Sequence, residues 1–63
     1  MNESVRAELG AAVEAIDRYR ARVASLVENV GPDNEDLLSA MYEAERALVT
    51  AHRLLTRAEK LAR

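Results

Sequence analysis

The sequence predicts an all-α fold, an antiparallel two-helix hairpin of the coiled-coil type that assembles as a homodimeric four-helix bundle. Three observations lead to this prediction. Apolar residues recur at steps of three and four along both halves of the chain, which is the helical period. One short central segment holds the only proline and one of the two glycines. A chain of 63 residues without cysteine also lacks the disulfides that often stabilise a small monomer.

The chain is expected to form a single helical-hairpin domain over residues 1–63, with its first helix over about residues 3–29. Asn2 or Ser4 can cap the start of this helix, because both side chains can accept a hydrogen bond from a free backbone N–H. Gly10 is the unfavourable residue of its interior, where glycine costs roughly 1 kcal/mol relative to alanine.

The turn is expected at about residues 30–33 and the second helix at about residues 33–62. Gly31 suits a left-handed conformation just past the end of the first helix, and Pro32 cannot continue that helix. Asp33 can cap the second helix, with Asp36 three residues later in a variant of the capping box.

Each helix carries a heptad pattern of apolar residues, and two helices joined by a tight turn must run antiparallel. Folding the chain at the turn brings these two patterns together, so we expect them to form the contact between the helices. This predicted seam consists of Val5, Leu9, Ala12, Ile16, Tyr19, Val23 and Leu26 in the first helix, and Leu37, Met41, Ala44, Leu48, Ala51, Leu55 and Ala58 in the second.

Further apolar residues lie beside the seam, on an arc wider than one partner helix can cover. Such an arc is typical of the inner face of a four-helix bundle. The burial expected for a 63-residue globule contributes on the order of 90 kcal/mol against roughly 95 kcal/mol of ordering entropy, so association should add needed stability. We therefore expect a homodimer, with another helical protein as the other possible partner. The candidate oligomer face consists of Val13, Val27, Leu38, Tyr42, Ala47, Val49, Leu54 and Leu61.

The candidates for catalysis and metal binding are few. His52 is the only histidine, and Val49 occupies the place three residues earlier where bundle metal sites carry glutamate. Thr56 is the hydroxyl residue that can share a helix face with His52, without a second group to complete a catalytic set. We therefore expect no enzyme activity, cofactor, metal site or small-molecule substrate. The apolar runs are too short for a signal or membrane segment, which makes the cytoplasm the expected location.

Basic residues cluster in the second helix. The net charge of −2 makes nucleic acid an unlikely partner for the whole chain, yet these residues could follow a phosphate backbone. Dimers of helical hairpins such as the Rop-type regulators of plasmid copy number offer an architectural analogy, without a shared sequence motif. The candidate polyanion-binding residues, named the basic stripe below, are Arg46, Arg53, Arg57 and Lys60.

The sequence thus favours a non-catalytic protein–protein interaction or adaptor module that associates with itself through heptad patterns. The alternative is a small nucleic-acid-binding regulator built as a dimer of hairpins. Salt-dependent binding of RNA or DNA would distinguish the alternative from the adaptor function.

Overall fold

A computed structural model describes residues 2–62. Over this range the chain forms two helices, α1 (Glu3–Val27) and α2 (Glu35–Leu61), and no strand. The helices pack against each other, which confirms the predicted two-helix hairpin. The Cα atoms extend over 52 × 14 × 10 Å, so the molecule is a rod whose length is set mainly by helices of about 40 Å.

The start of α1 lies at one of the two capping positions proposed from the sequence, without the expected side-chain capping bond. Asn2 occupies the N-cap position, and its carbonyl accepts a hydrogen bond from the Arg6 N–H at 2.8 Å. Glu3 is the acidic residue of the first turn, where the positive end of the helix dipole favours a carboxylate.

The end of α1 tightens into bonds of the 3₁₀ type. The N–H of Asn29 donates to the Leu26 carbonyl at 3.0 Å, and the N–H of Val30 donates to the Val27 carbonyl at 3.2 Å. Bonds between residues three apart satisfy carbonyls that the α-helical pattern leaves free at a C-terminus. The α-helix consequently ends at Val27, two residues before the end expected from the sequence.

The chain reverses at Gly31–Asn34, where the Asn34 N–H donates to the Gly31 carbonyl at 3.1 Å. Pro32 is the second residue of this four-residue turn, a position that its fixed φ suits. No glycine within residues 2–62 has a positive φ. The expected left-handed conformation of Gly31 is therefore wrong, because a proline-containing turn changes the chain direction instead.

The N-cap of α2 lies one residue later than the cap proposed from the sequence. Asn34, rather than Asp33, occupies the N-cap of α2 and makes no side-chain capping bond. Its carbonyl accepts the first helical bond from the Leu38 N–H at 3.0 Å. The capping box proposed for Asp33 and Asp36 is thus absent. Asp36 instead lies in the first turn of α2, where the positive end of the helix dipole stabilises its carboxylate.

Gly10 lies where α2 comes close to α1. A Cβ atom at this position would be 2.9 Å from Oε2 of Glu59 and 3.7 Å from its Cδ. Glycine at position 10 therefore lowers the helix propensity of α1 relative to alanine. The missing methyl group leaves room for the Glu59 carboxylate.

We predict that Gly10→Ala stabilises the hairpin by less than the roughly 1 kcal/mol expected for an unobstructed helix interior, because the Glu59 carboxylate must move. The same change made in a Glu59→Ala background should recover the full gain. Urea denaturation of the four proteins measures both values. Destabilisation by Gly10→Ala in both backgrounds would contradict the proposed cause.

Candidate interaction surface

The contact between the helices follows two half-buried lines, and no residue within 2–62 is fully buried. Along each helix the half-buried residues recur at steps of three and four, so that each line stays on one side of its helix. We call these two lines the interhelical lines. Their members are Leu9, Val13, Ile16, Arg20, Val23 and Val27 on α1, and Leu38, Met41, Glu45, Leu48, His52, Leu55 and Glu59 on α2.

The interhelical lines share one heptad position of each helix with the predicted seam. These shared positions are those of Leu9, Ile16 and Val23 on α1 and of Met41, Leu48 and Leu55 on α2. The seam residues that are half-buried are Leu9, Ala12, Ile16, Val23, Met41, Leu48, Ala51, Leu55 and Ala58. The others are exposed: Val5 by 52%, Tyr19 by 54%, Leu26 by 50% and Leu37 by 51%, together with Ala44. The helices are thus rotated towards the flank that carries Val13 and Val27 on α1 and Leu38 on α2, although Ala12, Ala51 and Ala58 on the other flank are also half-buried.

The reason for this rotation is that apolar residues flank both sides of the shared positions. Val13 and Val27 lie on one flank of α1, whereas Tyr19 and Leu26 lie on the other. Only one flank can face α2, and in the structure it is the flank with the two valines. Val13, Val27 and Leu38, which the sequence placed on the candidate oligomer face, consequently lie between the helices.

The opposite flank of α1 and its counterpart on α2 form a continuous set of apolar side chains, all exposed except the half-buried Ala12, Ala51 and Ala58. Residues seven apart lie on one side of a helix, and residues three further along lie next to them. We call the resulting surface the apolar face. It consists of Val5, Ala12, Tyr19 and Leu26 on α1, and of Leu37, Ala40, Ala44, Ala47, Ala51, Leu54, Ala58 and Leu61 on α2.

Both helices contribute to the same side of the rod. An antiparallel pair has an approximate two-fold axis perpendicular to both helices, so equivalent heptad positions share a face. Gly10 and Val13 line a groove together with Glu59. Gly10 lies about 160° around α1 from Ala12, which places this groove on the side opposite the apolar face.

The candidate oligomer face is therefore divided by the structure. Leu54 and Leu61, exposed by 57% and 72%, belong to the apolar face together with Ala47. Tyr42 and Val49, exposed by 49% and 47%, lie on the other side of the rod. There they border a shallow depression with Arg46.

The exposed area of the chain is large for its mass. It totals 5026 Å², whereas a folded monomer of 7.0 kDa exposes about 4,000 Å². The radius of gyration of 14.8 Å likewise exceeds the roughly 11 Å of a compact chain of this length. The hairpin alone thus leaves about 1,000 Å² more surface in contact with water than a compact fold of the same size.

One arginine side chain, that of Arg22, packs against Tyr19 of the apolar face. The guanidinium carbon of Arg22 lies 5.7 Å from the centroid of the Tyr19 ring, within the range of a cation–π contact. On the same helix Arg20 forms an ion pair with Asp17 at 3.0 Å. Both members of that pair are more than a third exposed, so its contribution to stability is at most about 1 kcal/mol.

His52 and Thr56 do not form a reactive pair in the structure. The Thr56 hydroxyl donates a hydrogen bond to the backbone carbonyl of His52 at 2.8 Å, rather than to its imidazole. This bond is the usual one for threonine inside a helix. Within residues 2–62, no three side chains of the metal-ligating types are close enough to hold an ion.

The basic stripe lies on the exposed surface of α2. All four of its residues, Arg46, Arg53, Arg57 and Lys60, are exposed. The last three also line an open depression with His52.

The chain has no significant match among protein-family models, curated proteins or solved structures. Over the part of the chain that the structure describes, neither helix combines the length and the apolar character needed to cross a bilayer.

We predict that Ile16→Ala and Leu48→Ala each lower the free energy of unfolding by about 2 kcal/mol, the lower end for large-to-small changes since both residues are half-buried. Val49→Ala, an exposed control on α2, should change it by about 0.5 kcal/mol or less. Chemical denaturation followed by circular dichroism tests all three variants. Equal losses at Leu48 and Val49 would contradict the assignment of the interhelical lines.

Proposed function

We propose that the protein is a non-catalytic interaction module that associates with itself through the apolar face, forming a homodimeric four-helix bundle. The observation that carries the proposal is the excess exposed area of about 1,000 Å² per chain. A stable interface of standard size buries about 800 Å² on each partner. Covering the apolar face would therefore bring the chain close to the exposed area of a compact protein.

The dimensions of the apolar face agree with this area. Each helix is about 40 Å long and about 10 Å wide, so the side of a two-helix rod measures on the order of 800 Å². The exposed leucines are distributed along its whole length, from Leu26 and Leu37 next to the turn to Leu54 and Leu61 near the end of α2. A partner of the same length and shape would cover all of them.

A second copy of the chain fits this requirement because large and small residues alternate along the face. On α1, Ala12 and Tyr19 are one heptad apart, and on α2 Ala44 and Leu54 are separated by three turns. A copy related by two-fold symmetry can place its large residues against the small ones, as close packing requires. Self-association then couples the stability of the fold to protein concentration.

We predict that Leu54→Glu converts the dimer to a monomer, because a carboxylate would be buried without a partner within the interface. Val49→Glu is the matched control. Val49 is of similar exposure, 47% against 57%, is on the same helix and lies on the opposite side of the rod. Sedimentation equilibrium at micromolar concentration should give twice the chain mass for the wild type and for Val49→Glu.

The thermal midpoint of the wild type should also rise with concentration, whereas that of Leu54→Glu should not. A wild-type monomer with a concentration-independent melt would overturn the proposed function. Dissociation by Val49→Glu, with Leu54→Glu still dimeric, would place the interface on the other side of the rod.

Nucleic-acid binding is a second candidate function, favoured by the exposure of all four residues of the basic stripe. Arg46, Arg53 and Lys60 are seven residues apart and follow one line along α2. Five acidic residues of α2, at positions 35, 36, 43, 45 and 59, reduce the positive potential of the helix. We therefore rank this function second.

We predict that the protein binds RNA or DNA no more tightly than about 10 µM at physiological salt, within the range of non-specific association. The variant Arg46→Gln/Arg53→Gln/Lys60→Gln is the test for the stripe, because these exposed changes should leave the fold intact. Fluorescence anisotropy with labelled oligonucleotides measures the affinity, and circular dichroism checks the fold. Sub-micromolar binding by the wild type that is lost in the triple variant would promote the second candidate.

A further inference from the structure

The charges of the chain are divided between the two ends of the rod. Residues 23–45, which form the end of α1, the turn and the start of α2, contain six acidic residues and no lysine or arginine. Residues 2–22 contain four of each sign, and residues 46–62 contain four basic residues and one acidic. The turn end of the rod, residues 23–45, therefore carries a net charge of −6, and the remaining described residues together carry +3.

These charges are accessible at both ends. Glu28, Asp33 and Glu35 are exposed around the turn, whereas Arg57 and Lys60 are exposed near the end of α2. The rod is 52 Å long, several times the screening length of about 8 Å at physiological salt. Each end consequently presents its own charge to a neighbouring molecule, without cancellation by the other end.

A symmetric dimer through the apolar face has two possible arrangements. In the parallel arrangement the two turns lie at the same end, and in the antiparallel arrangement each turn lies beside the helix termini of the second copy. Both place Tyr19 against an alanine of the second copy, so side-chain size does not select between them. In a bundle, neighbouring helix axes are about 10 Å apart, close enough for the charges of adjacent ends to interact.

We infer that the two copies pack antiparallel, with the acidic turn end of each against the basic end of α2 of the other. The inference rests on the proposed self-association and specifies its geometry. The parallel arrangement would bring together two turn ends of charge −6, whereas the antiparallel one places each turn end beside residues 2–8 and 53–62 of the other copy, whose net charge is +1. The second copy of the chain is thus the occupant that matches the apolar face both in area and in charge.

The antiparallel arrangement also fixes which residues meet. In it α1 lies along α1 of the second copy, and α2 lies along α2. Tyr19 then faces Ala12 of the second copy, and Leu37 faces Leu61 of the second copy. The two turns are separated by the length of a helix, so the chain reversals lie at opposite ends of the four-helix bundle.

Distances between spin labels distinguish the two arrangements. Asn29→Cys places a label beside the turn, at an exposed residue whose replacement leaves the net charge unchanged. In the antiparallel dimer the two labels should be about 40 Å apart or more, one helix length. In the parallel dimer they should be within about 25 Å, the width of two helices. Thr50→Cys, an exposed position near the middle of the rod, is the control and should give roughly 20–30 Å in either case.

Sedimentation of the labelled proteins separates the failure of this inference from the failure of the proposed function. A dimer with a long Asn29 distance supports the inference. A dimer with a short Asn29 distance overturns the antiparallel arrangement and leaves self-association standing, whereas a monomer overturns both. Assemblies larger than a dimer would contradict the closed two-fold arrangement.

Salt provides an independent readout. In the antiparallel dimer, opposite charges attract across the interface, so the dissociation constant should rise severalfold between about 50 and 500 mM NaCl. In the parallel dimer, added salt would screen repulsion and the dissociation constant would fall. A falling constant would therefore overturn the inference.

Discussion

The structure depends on a contact between two helices that have no third element to cover them. Two cylinders touch along a narrow line, and the side chains on that line remain open to water on both sides. For this reason Leu9, Ile16 and Leu48 are half-buried rather than buried, although they lie on the interhelical lines of a regular heptad pattern. The large exposed area and the exposed leucines follow from the same constraint.

The sequence predicted well the features that depend on a strict period. The residues one heptad apart in both helices, such as Ile16, Val23 and Leu48, face the interior in the structure as expected. The period alone could not choose between the two flanks of these positions, because each flank is apolar. Val13 and Val27 face α2 in a single hairpin, while Tyr19 and Leu26 remain available for a second contact. Three apolar heptad positions on a helix are typical of a helix in a bundle, where several neighbours cover them. In a single hairpin only two of these positions face the other helix.

The turn was less predictable, because several local solutions satisfy the same residues. Glycine after a helix is compatible with a left-handed conformation, yet Gly31 followed by proline also suits the first position of a β-turn. In the structure, i→i+3 bonds complete the end of α1, so no left-handed residue is needed there. Asp33 is then a residue of the turn, and the cap passes to Asn34.

The exposure of Leu54 and Leu61 on the apolar face has a consequence for a single chain before the proposed dimer forms. Exposed leucines are the feature by which chaperones and proteases distinguish incomplete assemblies, and the population of open states governs turnover in cells. For the proposed dimer, newly made chains at low concentration would be the most vulnerable, and paired chains would be protected. The apolar face would therefore set a lower limit on the abundance at which the protein persists.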